Sequence, residues 1–368
     1  MNTRPIAFFL PTLHGGGAER VVINLLKGMS SYNIPLDLIV ATTDGPYLNQ
    51  VPSQVRVINL ATGRVIKAIL PLSKYLQNNK PIAIISHMNH ANIVAVLAKK
   101  IGGTETKLIL VEHNTLSFSK SNSIRAKFLP PLMKLLYPVA DVIVGVSKGV
   151  AEDLESQLAL EKGKVNVIYN PVIDDELIAK AKTPLEHPWF EKGCPPVFLA
   201  VGRLTAQKDF LTLIKAFGLL RKQKLARLII LGEGEQRTEL EAMIRKLGIS
   251  ENVSMPGFVD NPYAYMSRGS AFVLSSRWEG LPTVLIEAMA CGCPVIATDC
   301  PSGPREILEA GKYGTLVPVG NEIAISAAML DILDSSVNVD VLVRKTMDFS
   351  VEQANSKYLS LLGYSIPM

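Results

Sequence analysis

The sequence has 368 residues, of which 48% are hydrophobic, 19% charged and 6% aromatic. This length predicts two domains, and the hydrophobic share excludes an intrinsically disordered chain. The formal net charge is +5, but residues 1–180 hold 19 Lys and Arg against 13 Asp and Glu, while residues 181–368 hold 19 against 20. The basic first half favours an anionic partner, either a membrane surface or a phosphorylated substrate, with a solvated surface as an equal alternative. No motif for nucleic acid accompanies the charge.

Cysteine use and hydropathy predict the compartment. The four cysteines form no Cys-x-x-Cys pair, so reduced thiols in a cytosolic compartment are expected. The longest apolar stretch, Ile82–Ala98, is interrupted by polar residues and falls short of the roughly 18 clean apolar residues that a membrane span needs. The apolar run Ile6–Leu10 is too short for a secretory signal. We expect a cytoplasmic protein whose only membrane contact is peripheral, at the inner face.

Short apolar runs alternate with helix-length segments along the whole chain. The predicted strands are Ile6–Leu10, Leu36–Ala41, Val55–Leu60, Ile82–Ser86, Leu108–Glu112, Val142–Val146, Val165–Tyr169, Val197–Val201, Arg227–Leu231, Val253–Met255, Ala271–Leu274, Val295–Thr298 and Thr315–Val317. The predicted helices are Ala18–Ser30, Ile66–Gln77, Lys148–Gln157, Phe210–Lys222, Gln236–Leu247 and Pro282–Cys291. Continuous apolar strands alternating with helices indicate an α/β fold with two doubly wound parallel sheets.

A boundary between the two domains is predicted after Asn170. From Asp174 to Pro196 the chain turns polar and carries prolines at 184, 188, 195 and 196, so residues 171–196 are typical of a linker or peripheral segment. Strand–helix alternation then restarts at Val197. Two such domains in series predict a ligand cleft between them.

Three motifs follow predicted strands. Gly15-Gly16-Gly17-Ala18-Glu19-Arg20 opens a helix after the first strand, where free N–H groups bind phosphate, although a purely structural turn is an equal alternative. It fails the dinucleotide fingerprint, because Arg20 stands where a third glycine is required. After Val197–Val201, the segment Gly202–Lys208 places Arg203 and Lys208 at a strand end. Arginine and lysine there suit phosphate, but this motif by itself favours a pair of exposed surface cations.

The third motif, Ser276–Ala288, is the most specific. Glu279 stands in a loop and Glu287 lies eight residues later, inside a predicted helix. Pro282 suits the first helical position, which leaves the N–H groups of Thr283 and Val284 to bind a diphosphate. Glu279 would hydrogen-bond sugar hydroxyls, and Glu287 a ribose diol. Carboxylates that merely complement a helix dipole would not explain the Gly-Leu-Pro spacing.

These motifs, in this order, resemble the retaining family-4 glycosyltransferases of the GT-B fold. The resemblance continues through Glu287–Ala297 and Gly303–Ile307 and spans most of the chain. It implies two Rossmann-like domains. The first would comprise residues 1–170 and 350–368 and bind the acceptor, and the second, residues 171–349, would bind the nucleotide-sugar donor, with 171–196 as linker.

The resemblance also implies roles for individual residues. Gly16 and Gly17 would approach the donor from the N-terminal domain, and Arg203 and Lys208 would neutralise the β-phosphate of the leaving group. Donor-binding positions in the second domain follow from the same resemblance: Glu279, Gly280 and Leu281 for the sugar, Pro282, Thr283 and Val284 for the diphosphate, Glu287 for the ribose, and Gly232 and Val259 for the nucleotide.

His113 matches the family's position beside the donor sugar, and we expect it to be catalytic together with Arg203, Lys208 and Glu279. His87 and His90 are expected to line the cleft or pack in the core. The sequence has no Asp-x-Asp suited to a donor-binding cation, so no metal and no cofactor is expected. Arg203, Lys208 and the helix N-terminus would then do the electrostatic work of a metal.

The resulting hypothesis is a retaining, metal-independent hexosyltransferase of polysaccharide or glycoconjugate synthesis. Its donor would be a nucleotide-diphosphate sugar, with UDP favoured over GDP, and its acceptor a glycan or lipid-linked sugar. A nucleotide-sugar epimerase of the same fold and a non-catalytic nucleotide-sugar-binding protein are alternatives, and an NAD oxidoreductase ranks third. The family pattern fixes no acceptor, because acceptor loops vary within one fold.

Two further segments carry expectations. Residues 117–138 combine basic residues with a compact apolar set, which predicts either an interfacial segment on anionic lipid or a helix packed on the sheet, with Pro130 and Pro131 breaking any long helix. Residues 350–362 predict a helix that returns to the first domain. Its N-cap is Ser350, and its apolar stripe consists of Ala354, Tyr358, Leu361 and Leu362.

Overall fold

A computed structural model of the protein describes residues 4–14, 16–117, 124–335 and 337–364, with the side chains of residues 124–128 outside the description. The chain divides into two compact units, Met1–Val172 with Ser350–Met368, and Ile173–Phe349. The first division lies two residues beyond residue 170, and the chain returns to the first unit at residue 350. Each unit is described by itself below.

The first unit contains a sheet of seven parallel strands. Their order in the sheet is β3-β2-β1-β4-β5-β6-β7, so the direction of winding reverses between β1 and β4. Strands β1, β2 and β4 are buried along their whole length, as expected for strands covered on both faces. The strands are β1 (Ile6–Leu10), β2 (Leu36–Val40), β3 (Val55–Asn59), β4 (Ala83–His87), β5 (Lys107–Glu112), β6 (Val142–Gly145) and β7 (Val165–Val167).

Helices cover both faces of this sheet. Neighbouring helices α2 to α5 pack on one another in sequence. The step from β1 to β2 runs in the opposite direction along the sheet, so a right-handed crossover places α1 on the other face. The helices are α1 (Gly17–Met29), α2 (Ile69–Asn79), α3 (Asn89–Gly102), α4 (Ile124–Leu136) and α5 (Lys148–Leu158).

Helix α4 corrects one prediction. It continues through Pro130 and Pro131, which were expected to break it. Each proline removes one backbone donor, but the helix is held from outside, since it packs on α3 and α5 and buries Met133 and Leu136. Residues 118–123 of the predicted interfacial segment lie outside the described residues. None of the helices in the described ranges is both long and apolar enough to cross a bilayer.

The second unit repeats the architecture with six parallel strands. Their order is β10-β9-β8-β11-β12-β13, and the winding reverses between β8 and β11. Helix α7 packs on α8 and α12 beside this sheet, and its buried face joins the core with Phe198, Leu228 and Ile296. The strands are β8 (Val197–Val201), β9 (Arg227–Leu231), β10 (Val253–Gly257), β11 (Ala271–Leu274), β12 (Val295–Thr298) and β13 (Thr315–Val317), and the helices are α6 (Asp175–Ala181), α7 (Phe210–Arg221), α8 (Arg237–Lys246), α9 (Pro262–Met266), α10 (Thr283–Ala290), α11 (Pro304–Ile307), α12 (Glu322–Asp334) and α13 (Val339–Thr346).

The predicted linker, residues 171–196, is largely part of the second unit. It contains α6, which Asp174 caps by accepting a hydrogen bond from Leu177 N. Helix α6 packs on α9, where Ser267 Oγ donates to Ala181 O at 2.7 Å and Asn261 Nδ2 donates to Lys180 O at 3.0 Å. The segment reads as polar because only one face of a short helix is buried.

The last described helix, α14 (Val351–Leu361), belongs to the first unit, where it packs on α1. Ser350 Oγ accepts from Gln353 N at 3.2 Å, as an N-cap does. Its buried face is Ala354, Asn355, Tyr358 and Leu359. The predicted stripe was therefore wrong at its end, because Leu359 is enclosed while Leu361 and Leu362 are half-buried.

The prediction of two doubly wound parallel sheets is confirmed. Each predicted strand exists, with bounds that move by at most two residues. The helices were less completely predicted, since α3, α6, α12 and α13 lie in segments that the sequence analysis did not read as helices.

Candidate active site

The candidate site of the second unit is built on the loops after β8 and β11, the strands between which the sheet order reverses. In open parallel sheets, helices diverge to opposite faces at such a point and leave a crevice at the carboxyl ends of the strands. The β8 loop carries Arg203 and Lys208, and the β11 loop carries Glu279. The topology thus brings residues from two separate sequence motifs to one sheet edge.

Lys208 and Glu279 form a nearly enclosed ion pair. Lys208 Nζ lies 2.6 Å from Glu279 Oε1, and the glutamate is only 7% exposed. Ser276 Oγ donates to the same carboxylate oxygen at 2.6 Å. An ammonium carries three donors, so this pairing leaves two for a phosphate. The structure therefore places the phosphate-binding candidate and the sugar-binding candidate in direct contact, a pairing that the sequence analysis did not predict.

Further hydrogen bonds join the β8 and β11 loops. Arg277 N donates to Gln207 O at 2.8 Å, and Ser275 Oγ donates to Lys208 O at 2.7 Å. Arg277 Nε also lies 3.0 Å from the buried carboxylate of Asp209. These bonds fix the Lys208 backbone on both sides. These contacts carry no local sequence signal, because the two partners lie about 70 positions apart in the chain.

Arg203 differs from Lys208 in its surroundings. Its side chain is exposed and forms no ion pair within the described part of the chain. The Lys208 side chain lies over Gly202, where an added Cβ would stand 3.2 Å from Lys208 Cε. The glycine before Arg203 thus makes room for the lysine, and the loop presents one paired and one unpaired cation.

The N-terminus of α10 lies at the end of the β11 loop. The helix begins at Thr283, and Pro282 is its N-cap, so the predicted first helical position for Pro282 was wrong by one residue. Thr283 and Val284 are half-exposed and occupy the first two helical positions, whose N–H groups have no acceptor in the helix. Glu287 follows in the second turn and is 5% exposed.

The loop after β12 supports the start of α10. Ser302 Oγ donates to Gly280 O at 2.8 Å, and Leu281 is buried. Gly303 has a φ of +88°, and a Cβ there would lie 2.4 Å from Pro282 Cδ. The Gly280–Pro282 turn is therefore held by a neighbouring loop whose glycine is required by contact and by conformation.

The backbone at Gly232, a predicted nucleotide-binding residue, passes close to the backbone at Gly202. Its φ is +137°, and a Cβ there would lie 2.1 Å from Gly202 O. Gly232 N donates to Gly257 O at 2.8 Å, which joins the β9 loop to the end of β10. Val259, two residues farther, is half-buried, and Phe258 between them is 78% exposed.

In the first unit, the predicted glycine loop follows β1 at the other reversal of sheet order. Gly15 lies outside the described residues. Gly16 is the N-cap of α1, and a Cβ there would meet the Glu19 carboxylate at 2.3 Å. At Gly17 a Cβ would meet no atom within 4 Å. Packing therefore does not require a glycine at position 17.

His113 directly follows β5 and is half-buried. Its Nε2 lies 3.0 Å from Nδ1 of His87, the enclosed last residue of the neighbouring strand β4. Burial lowers the pKa of His113 to about 4 and that of His87 well below 6.5. His87 was expected to line the cleft or to pack in the core. It is enclosed, and it contacts His113, the predicted catalytic histidine.

Glu112, which precedes His113, belongs to a buried network of hydrogen bonds. Its Oε1 accepts from Asn92 Nδ2 at 2.8 Å and from the Tyr137 hydroxyl. Burial raises the pKa of Glu112 to about 7 despite these two bonds. At the end of β5, Glu112 and His113 thus form no ion pair among the described residues.

The described ranges contain few groups suited to metal ligation or thiol chemistry. There, no three His, Cys, Asp or Glu side chains come together in a group that could hold a metal ion. All four cysteines are free thiols. Burial raises the pKa of the Cys291 and Cys300 thiols to about 12, so neither is a ready nucleophile.

Family models match both halves of the chain. "Glycosyltransferase Family 4" matches residues 15–176, and "Glycosyl transferases group 1" matches residues 184–346. The two matches correspond to the first and second units.

Individual relatives cover nearly the whole chain. A Campylobacter jejuni N-acetylgalactosamine-N,N'-diacetylbacillosaminyl-diphospho-undecaprenol 4-alpha-N-acetylgalactosaminyltransferase is 32% identical, over 89% of this chain and 90% of its own. The lipopolysaccharide 1,6-galactosyltransferase of Salmonella typhimurium is 28% identical, over 86% of each chain. Among solved structures, Anabaena HepE in complex with UDP superimposes with a TM-score of 0.79 at 21% identity, covering 98% of this chain and 99% of that one.

Proposed function

Because the chain belongs to the family-4 glycosyltransferases of the GT-B fold, we propose that it transfers a hexose or N-acetylhexosamine from a nucleotide-diphosphate sugar to a glycan or lipid-linked acceptor, with retention of configuration. The observation that carries this proposal is the sheet-edge arrangement of the second unit. Two cations, the N–H groups at the start of α10 and a buried carboxylate meet there.

The cations suit the charge that develops during transfer. As the bond between the donor C1 and its phosphate oxygen breaks, the sugar gains oxocarbenium character and the leaving diphosphate gains negative charge. Lys208 and Arg203 stabilise that charge, and the N–H groups of Thr283 and Val284 hold the diphosphate. The acceptor oxygen bonds to C1, and its proton passes to the departing phosphate oxygen. The products are the glycoside and a nucleoside diphosphate.

Glu279 has two tasks in this scheme. When no donor sugar is bound, the Glu279 carboxylate pairs with Lys208 and accepts a hydrogen bond from the Ser276 hydroxyl. With donor, the second carboxylate oxygen accepts a sugar hydroxyl, while Lys208 turns its remaining donors to phosphate. Because cations and helix N–H groups supply the positive charge, we propose that transfer needs no divalent metal.

The donor and acceptor classes are supported by relatives. Two similar proteins are named as transferases of N-acetylgalactosamine and galactose, acting on a diphospho-undecaprenol-linked sugar and on lipopolysaccharide. The HepE structure contains UDP. We therefore favour a UDP-hexose or UDP-N-acetylhexosamine as donor, and a lipid-linked or lipopolysaccharide glycan as acceptor.

The test is a transfer assay with radiolabelled UDP-sugars and GDP-mannose against a panel of undecaprenyl-diphosphate-linked acceptors, with and without EDTA. We expect one labelled glycolipid whose new linkage keeps the donor's anomeric configuration by NMR, formed equally in EDTA. An inverted linkage would contradict retention. Loss of activity in EDTA that added metal restores would contradict metal independence. A free sugar-nucleotide isomer formed without acceptor would replace transfer by epimerisation.

We further propose that α4 contacts an anionic membrane surface. Leu135 and Leu132 are 72% and 40% exposed, and Lys134 between them is exposed too. Exposed leucines beside a lysine suit the boundary between lipid headgroups and acyl chains.

In flotation with phosphatidylglycerol and phosphatidylcholine vesicles, we expect the protein to bind the anionic vesicles only, and Leu135→Glu to weaken that binding. The matched control is Leu225→Glu, which changes a leucine of similar exposure, 68%, in the second unit. Equal flotation of both variants with wild type would contradict the proposal.

A further inference from the structure

Two imidazoles meet at the carboxyl edge of the first sheet. His87 ends β4, and His113 follows the adjacent strand β5. His87 Nδ1 and His113 Nε2 are 3.0 Å apart, and the ring planes are inclined by 31°. On its other side, the His87 ring stacks on Phe8, with an interplanar angle of 20°. His87 is thus held by packing, and one of its nitrogens faces the predicted catalytic residue.

One hydrogen bond joins the two rings, and one of them supplies its proton. Burial lowers both pKa values, that of His113 to about 4, so both rings are neutral near pH 7. A neutral imidazole has one N–H donor and one acceptor nitrogen. Either His87 donates to His113 or the reverse, and the choice fixes which nitrogen carries the proton in each ring.

The enclosed nitrogen of His87 decides between the two arrangements. His87 Nε2 is completely buried and has no hydrogen-bond partner within the described residues. If His113 donated, the His87 proton would have to sit on Nε2, as an N–H group buried without an acceptor. Such orphan donors are rarer in proteins than unsatisfied acceptors. The favoured arrangement therefore has the His87 proton on Nδ1, donated to His113 Nε2.

We propose that His87 is a positioning residue for His113, which it holds as the neutral tautomer with its proton on Nδ1. His113 is half-buried, and its Nδ1 makes no hydrogen bond in the described part of the chain. His113 then acts as a hydrogen-bond donor toward substrate rather than as a base. The substrate part of this inference rests on the proposed glycosyl transfer.

The direct test is the tautomer of His113, read from long-range ¹H–¹⁵N correlations of the ring nitrogens in the full chain without ligand. We expect Nδ1 to be protonated in wild type. His87→Leu removes the donor and keeps the site apolar, and we expect His113 to shift toward protonation on Nε2. A wild-type His113 already protonated on Nε2, or a tautomer unchanged in His87→Leu, would overturn the proposal.

A rescue experiment separates positioning from packing. In His87→Asn, the amide Nδ2 stands two bonds from Cβ, as Nδ1 of histidine does, and retains a donor at that place. We expect His87→Leu to lower kcat about tenfold, the typical effect of losing one hydrogen bond. We also expect His87→Asn to recover most of that loss together with the Nδ1 tautomer. Ser86→Ala, at the neighbouring buried position, is the matched control and keeps wild-type kcat.

The outcomes distinguish this proposal from the proposed function. If wild type transfers no sugar but His113 carries its proton on Nδ1 and loses it in His87→Leu, glycosyl transfer is wrong and the positioning of His113 stands. If transfer occurs and His87→Leu lowers thermal stability while tautomer and kcat stay unchanged, His87 is only a core residue and the proposal fails.

Discussion

The two units have the same winding pattern, yet a charged pair stands at the strand ends of the second and a neutral pair at those of the first. At the reversal of the second sheet, Lys208 and Glu279 form a charged pair held by hydrogen bonds between loops. Near the reversal of the first sheet, His87 and His113 form a neutral pair, of which His87 is enclosed and stacks on Phe8. One fold therefore supplies either fixed charge or an oriented neutral donor, depending on whether ions or imidazoles end its strands.

The difference has a physical cause. A charged pair must offset its desolvation by close geometry and extra hydrogen bonds, and Ser276 supplies one of those. A neutral pair has a smaller desolvation cost and tolerates deeper burial, as at His87, which is wholly enclosed. In the proposed function, the charged pair of the second unit would face the diphosphate, and the neutral pair of the first would face the uncharged sugar.

The largest expected effect tests whether the first unit stands alone. Deleting residues 350–368 removes the buried side chains Tyr358 and Leu359, which contribute about 3–6 kcal/mol together. A domain's total stability is about 5–15 kcal/mol. Calorimetry should show a lost or strongly lowered transition for the first unit, while UDP titration should show a smaller loss of affinity. An unchanged melting profile would mean that α14 is dispensable.

The next effect tests the charged pair. Lys208→Ala should lower kcat/KM by about 2–4 kcal/mol, because the leaving phosphate loses a preorganised cation and Glu279 is left without its counter-ion. Arg203→Ala should lower kcat/KM by a similar amount. Lys224→Ala, which removes a lysine from an exposed pair with Asp334 in the same unit, is the control and should retain activity. Full activity of both site variants would refute the role of the cations.

A third measurement tests the neutral character of the first unit. Glu112 has a folded pKa of about 7, above the ordinary 4.5, so the folded state binds more protons between these values and stability falls as pH rises through them. Glu112→Gln removes this loss. The variant should gain stability relative to wild type from pH 4.5 to 7, by up to about 3 kcal/mol, and level off above. Urea unfolding at each pH measures this, with exposed Glu161→Gln as a control that shows no such trend.

The smallest expected effect compares the glycines of the two sites. Gly17→Ala adds a methyl group that meets no atom within 4 Å, so stability should rise by about 0.4–1 kcal/mol. Transfer activity should nevertheless fall, since the donor approaches this backbone in the proposed function. Gly232→Ala should instead unfold more easily, because its Cβ would meet Gly202 O at 2.1 Å. Unchanged activity of Gly17→Ala would remove this residue from the site.

Strands were predictable, because continuous apolar runs between polar segments have few alternatives in a buried parallel sheet. Helix α3 was not, because Asn89, His90 and Asn92 interrupt its first turns and hide the apolar periodicity. Asn92 is buried for a reason outside its own helix, since it donates to Glu112 Oε1 and Val111 O on β5. A polar residue whose partner lies on another element carries no local signal of its burial.

The site shows the same limit. Arg203, Lys208, Glu279 and Glu287 were selected by their motifs, because helix N-termini and strand ends have recognisable neighbours in sequence. His87 was not selected as a site residue, and neither was the Asp209–Arg277 pair. Their importance arises from contacts across loops and strands, which one sequence does not specify.

Helix α14 also sets an order for biosynthesis. Gly28 on α1 leaves space for Asn355, and Lys107 Nζ donates to Leu361 O at 2.6 Å, so the first unit is finished by residues made after the whole second unit. During translation β1–β7 emerge first, residues 173–349 of the second unit follow, and α14 emerges after them. A chain that ends before residue 350 therefore lacks the helix that packs on α1 in the first unit. The first unit has all of its helices only once this returning segment has been synthesised.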